Sequence, residues 1–135
     1  MPNGNRAIEL HDSLLAILED EGSAVRVVFE PGYVHETQGS PGVDLGVGWL
    51  QTIEFLIDAG SIEGRLSALP FDVRDGKLTV NEHEYRNLVP LPLNFSGDVE
   101  LRLLLGSGEN VVIRGKAIRS GFEGLAEDPE EFPGV

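Results

Sequence analysis

The chain contains no cysteine, which excludes disulfide bridges, thiolate metal sites and a cysteine nucleophile. That absence also fits a reducing compartment, so a cytoplasmic location is expected. Long apolar runs are missing too. The longest unbroken stretch of large aliphatics is Leu103 to Leu105, far short of the ~20 residues a spanning helix requires. No membrane association is expected. Met1 to Arg6 offer neither a basic leader nor an apolar stretch behind it, so no secretory signal is expected either. Positive charge is scarce: 10 Lys and Arg stand against 23 Asp and Glu, a formal net charge of −13. Nucleic-acid binders neutralise phosphates with clustered cations, and this balance argues against nucleic acid as a partner.

What is present is alternation. Hydrophobic residues make up 41% of the 135, and they recur at every second position between glycine and proline punctuation. That is the signature of half-buried strands. Phe71, Val73, Leu78 and Val80 share one face if Asp75-Gly76 makes a two-residue turn, because that dipeptide favours the positive φ angles of a type I′ hairpin. Val99, Leu101, Leu103 and Leu105 alternate with polar residues. After Gly106 to Asn110, the odd positions Val111, Ile113, Gly115 and Ala117 continue an apolar face. A five-residue loop there pairs Leu103 with Ile113 and Glu100 with Lys116. Trp49, Ile53, Phe55 and Ile57 lie along a longer strand, which turns at Ala59-Gly60-Ser61 into Ile62 to Ala68. Val25, Val27 and Phe29 begin another strand, which Pro31-Gly32 interrupts or bulges before Tyr33 and His35. Ile8 to Leu18 fits a short helix or a strand; the regular hairpin spacing elsewhere favours the strand, with Leu14, Ala16 and Leu18 on one face.

The expected fold is therefore all-β, an antiparallel β-sandwich or partly open barrel of about seven to nine short strands. It forms one domain over residues 1–135, with 121–135 an acidic tail whose Phe122 and Phe132 touch the body. Leu104 and Leu50, read as exposed, offer a homodimer contact.

The chemistry-bearing residues are few. There are three histidines, each followed by an acid: His11-Asp12, His35-Glu36 and His83-Glu84. Neighbours on a strand point to opposite faces, so a doublet can hold one ion only where a bulge or loop intervenes. A metal site needs histidines from different strands plus a carboxylate, which makes His11 and His35 the candidate ligands. Familiar metal-ligand spacings are lacking, and a structural or surface role for the histidines is favoured; no cofactor is expected. His11-Asp12-Ser13 holds the residue types of a hydrolytic triad, but three consecutive residues cannot converge as one. Asp12 and Ser13 are expected to bond nearby backbone at a bend or bulge. A continuous strand would instead put Asp12 on the face of Ile8, Leu10 and Leu14. In the glycine-rich stretch from Gly39 to Gln51, no Gly-Lys-Ser/Thr follows, so it is not a phosphate-binding loop. Tyr33, His35, Asp44, Trp49 and Gln51 offer aromatic faces and polar groups of the kind that line a ligand pocket.

The opening Ile8-Glu9-Leu10-His11-Asp12-Ser13, followed by a hairpin, resembles the start of small acidic bacterial domains of unknown function, some of them immunity proteins that neutralise toxins. The resemblance implies a non-enzymatic protein-binding domain. The net charge serves solubility and colloidal stability in its first reading; in its second it forms a docking face, for which the expected partner is a basic protein. The alternative is a small-ligand or metal-binding barrel, an enzyme among its forms, built on the His35–Trp49 region.

Overall fold

The alternation is realised as strand throughout. The computed structural model describes residues 5–41, 46–64, 68–123 and 130–132, without a helix among them, so none is long and apolar enough to cross a membrane. The strands are β1 (Asn5–Glu9), β2 (Leu14–Asp20), β3 (Ala24–Thr37), β4 (Gly46–Asp58), β5 (Ser61–Glu63), β6 (Phe71–Val80), β7 (His83–Arg86), β8 (Leu88–Leu91), β9 (Asn94–Leu105), β10 (Asn110–Glu123) and β11 (Glu130–Phe132). Antiparallel pairings run from β3 to β4, β10, β9, β6, β2 and back to β3, closing a six-strand barrel. The all-β antiparallel expectation holds in its barrel form. The β2–β6 seam is short, pairing only Leu14 with Asp72 and Leu15 with Phe71. β1 extends the sheet from the second half of β3, and β8 continues from β1. β5, β7 and β11 lie on β10, β6 and β4.

One face of each barrel strand fills the interior. Val25, Val27 and Phe29 of β3 meet Ile53, Phe55 and Ile57 of β4, with Leu78, Leu101, Leu103, Leu105, Val111, Ile113 and Ile118 from the far wall. Phe29 and Phe55 pack edge to face with centroids 5.3 Å apart. Such a pair contributes about 0.5–1.5 kcal/mol beyond its buried area.

Three expectations about strand ends are corrected. Asp75-Gly76 is no turn: β6 runs straight through it, and a register shift against β9 between Val73 and Asp75 marks a bulge. The bulge reverses the phase of the alternation, so Val73, Leu78 and Val80 still face inward. Gly76 is required by close approach, since a Cβ there would stand 2.6 Å from Leu10 Cδ1 and 3.2 Å from Leu103 Cδ2. The β9–β10 hairpin is tighter by two residues than expected. Leu103 pairs with Val111 and Glu100 with Arg114, and Gly108 takes the left-handed position (φ 89°) that closes a short loop. A second bulge, between Gly115 and Ala117, makes Ile118 the inward residue instead of Ala117. The presumed tail is in part sheet: residues 121–123 complete β10, and β11 pairs with Gly46–Gly48 of β4. Phe122 and Phe132 thus lie on strands, not on an arm.

The remaining expectations divide. Pro31-Gly32 does interrupt the ladder, with a register shift between Phe29 and Gly32 against β4. Ile8–Leu18 is strand, but broken by a turn at residues 10–13, and Leu15, not Leu14, is the fully buried residue. Asp12 therefore lies exposed in the turn at φ 73° instead of beside Ile8 and Leu10. The strand after Ser61 is short and pairs with β10, with 65–67 outside the described residues. Leu50 and Leu104 are half-buried, and the large hydrophobic side chain exposed among the described residues is Phe95.

The outer wall of β5, β6, β7, β9 and β10 is charged on both signs. Glu100 accepts from Arg102 and Arg114, Arg114 also meets Glu63, Lys77 reaches Glu84 at 3.0 Å and Lys116 reaches Asp98 at 2.6 Å. The Arg102 hydrogen bond, joined by Arg114, holds the Glu100 carboxyl below the usual carboxylate range; Lys77 does so for Glu84 and Lys116 for Asp98. The hydrogen bonds that Arg114 donates to Glu63 and Glu100 raise its own pKa further.

Two measurements test this account. Gly76→Ala is expected to destabilise by about 1–3 kcal/mol through overpacking, and by clearly less in a Leu10→Gly background, which removes both Leu10 contacts, Cδ1 at 2.6 Å and Cβ at 2.9 Å. An equal cost in both backgrounds in urea denaturation would point to a turn instead. Because folding lowers the Glu100 pKa, its contribution is full above the ordinary carboxylate range near pH 4–5 and fades as pH falls through the lower folded value. The stability gap between wild type and Glu100→Gln should therefore narrow on acidification, and narrow at neutral pH in high salt; a gap independent of pH would contradict the pairing.

Candidate functional site

The site begins where β3 changes partner. Its first half pairs with β2 and its second with β1, and the turn at residues 10–13 joins those two neighbours. A turn at that point leaves β3 backbone groups without a ladder partner. Ser13, 1% exposed, fills the gap: its Oγ donates to the Glu9 carbonyl at 2.6 Å and accepts from Tyr33 N–H at 3.0 Å. Backbone bonds run from Ser13 N to the Leu10 carbonyl and from Val73 N to the Ser13 carbonyl. Asn87, before β8, braces the other side, accepting from His11 N at 2.7 Å through Oδ1 and from Leu10 N through its carbonyl. The expected local role of Ser13 is what the structure has.

Register then decides which side chains meet. Glu9 lies directly opposite Tyr33, and His35 is two residues further on the same face. Glu9 Oε1 stands 2.9 Å from Nε2 of His35, a residue 6% exposed whose ring lies against Tyr33 at a 57° tilt, 4.9 Å between centroids. The other oxygen of Glu9 stands 3.4 Å from His11 Nδ1, which lies 3.4 Å from Asp12 Oδ1. His11 and His35, the two candidate ligands, are thus joined through one carboxylate. Glu9 is the residue that sequence reasoning missed. Its position two before His11 and its pairing opposite Tyr33 become informative only once the turn and the register are known.

The ligand-pocket set is divided by the sheet. Trp49 is opposite Val34 and Gln51 opposite Gly32, on the face away from Tyr33 and His35. There Trp49 packs against the core, donates from Nε1 to Gln51 Oε1 at 2.9 Å, and lies under the Arg6 guanidinium at 5.5 Å. Arg6 in turn pairs with Glu36. Tyr33 and His35 therefore do not share a pocket with Trp49 and Gln51, and Asp44 lies outside the described residues. The other two histidine doublets also separate. Glu36 points to the Arg6 side, and Glu84 turns to Lys77 and Arg86 while exposed His83 lies tilted against Tyr85.

Charge is distributed unevenly around the barrel. Residues 1–60, which supply β1–β4, hold ten acids and two arginines; residues 61–123 hold nine acids and eight basic residues. The final twelve positions add four acids, and their strand β11 pairs with β4. Both arginines of the acidic half are engaged, Arg6 with Glu36 and Arg26 with Glu54. Glu19, Asp20, Glu21 and Glu30 are exposed on that half. Comparison with protein-family models, with curated proteins and with solved structures finds no match.

Ser13→Ala is expected to cost about 1–3 kcal/mol, because it removes a buried hydroxyl that satisfies a backbone N–H. Chemical denaturation would report it. A loss under about 0.5 kcal/mol would mean that water or a shifted backbone replaces the hydroxyl.

Proposed function

We propose that this chain is a non-enzymatic protein-binding domain that docks a basic protein through its acidic half, an immunity-type inhibitor being the form the opening residues suggest. The observation that carries the reading is the segregation of charge. Residues 1–60, which supply β1–β4, carry a formal −8 and the last twelve positions −4, whereas residues 61–123 carry −1. Solubility alone asks for net charge and not for its concentration on one side. A one-sided field steers encounter with an oppositely charged partner and orients it on approach. The closed barrel supplies a rigid support for such a face, and a cytoplasmic setting belongs to the same reading. The small-ligand alternative has less support, because its candidate residues stand on opposite faces of the sheet.

The test compares two charge-reversed variants in affinity capture from a native lysate. One carries Glu19→Lys, Asp20→Lys and Glu21→Lys; the control carries Glu82→Lys and Glu109→Lys on the other half. A basic partner retained by wild type and by the control, released by salt and lost by the first variant, is expected. Equal retention by both variants, or retention insensitive to salt, would refute docking through the acidic half.

A further inference from the structure

We propose that Glu9, His11 and Asp12 form a binding site for a divalent first-row transition ion, with zinc as the reference ion and His35 as the group that positions Glu9. The donor atoms of these three side chains all lie within 4.8 Å of one another. His11 Nδ1 is 3.4 Å from an oxygen of each carboxylate, longer than the usual N–H···O separation of about 2.9–3.0 Å. Two ligands bound tetrahedrally at about 2.0–2.2 Å from one zinc ion stand about 3.3–3.6 Å apart, so the two His11–carboxylate spacings suit a shared ion better than a strong hydrogen bond. His11 and Asp12 side chains are 52% and 63% exposed, free to rotate through the small remaining distance and open to water at the other coordination positions.

The support behind these donors is what distinguishes the cluster from a chance gathering of surface charge. Asn87 and Ser13 fix the backbone on both sides of the turn. His35 holds Glu9 Oε1 and leaves Oε2 directed at His11. A buried imidazole steadying a ligating carboxylate is an outer-shell arrangement that orients a ligand toward its metal. The His11-Asp12 doublet is the one of the three whose side chains meet, because it sits in a turn. An imidazole donor beside two carboxylates favours zinc and its neighbours over calcium or magnesium. The surrounding excess of acids adds a field attractive to any cation. The inference stands apart from the docking reading and needs no partner protein.

Isothermal titration of the chelator-stripped full chain with zinc chloride, and separately with calcium chloride, tests it. Saturable binding of one zinc per chain is expected, with calcium at least about tenfold weaker. His11→Ala and Asp12→Asn should each weaken zinc at least about tenfold, and His35→Gln by about 10–100-fold, whereas His83→Ala should leave it unchanged. Thermal melts separate folding from binding: zinc should raise the melting temperature of wild type and of His83→Ala, and not of His11→Ala. Absence of saturable binding at millimolar zinc, zinc affinity unchanged in His11→Ala, or calcium binding as tight as zinc would each overturn the proposal.

Discussion

Along β3 the backbone must hand its hydrogen bonds from one neighbour to another. Its first half belongs to the barrel, between β2 and β4; its second half lies between β1 and β4, in the extension that ends with β8. Two strands cannot meet end to end against a third without leaving a donor or acceptor unpaired where one stops. The Ser13 hydroxyl bridges that gap from Glu9 to Tyr33, and the bulge between Phe29 and Gly32 bends β3 at the same level. Everything that follows in the fold depends on this exchange. It lets one long strand serve both barrel and extension, and it forces the chain into a turn at residues 10–13.

The turn is also what gathers the candidate donors. On an unbroken strand, Glu9 and His11 would share a face with Ser13, and Asp12 would point into the core. The break instead swings Asp12 into solvent at a positive φ angle and brings its carboxylate to His11. Aspartate tolerates that backbone region better than most residues. A purely structural requirement, pairing the edge of β3, thus produces a chemically unusual cluster as its consequence.

Much of the fold was legible because period-2 alternation is a direct image of burial in a sheet: Val25, Val27, Phe29, Ile53, Phe55 and Ile57 face inward as their spacing says. Asp75-Gly76 was misread for a physical reason. A two-residue hairpin turn and a one-residue bulge both reverse the phase of alternation, so the inward set Val73, Leu78, Val80 is compatible with either. What separates them is Leu10, distant in sequence, whose side chain occupies the space beside Gly76. The β9–β10 register slipped by two residues for a related reason: a shift of two preserves every face, and only the loop geometry at Gly108 distinguishes the alternatives. The site was half legible. His11 and His35 could be named from residue chemistry, but Glu9 joins them through a register the sequence does not encode locally. Trp49 and Gln51 had the right chemistry for a pocket and the wrong side of the sheet.

Electrostatics links the two faces of the molecule's chemistry. The outer wall of β5–β10 neutralises itself, with Lys77, Arg102, Arg114 and Lys116 each answered by a nearby carboxylate. In the β1–β4 half Arg6 and Arg26 are committed to Glu36 and Glu54, Arg119 of β10 answers Asp58, and Glu19, Asp20, Glu21 and Glu30 stay exposed. Self-repulsion there works against the compact state, and it is relieved by whatever positive charge binds, a cation or a basic protein. Any ligand that binds only the folded chain stabilises it by mass action. The excess acid is thus poorly explained as a device for stability. On the docking reading proposed above, it is a standing attraction carried on a closed barrel.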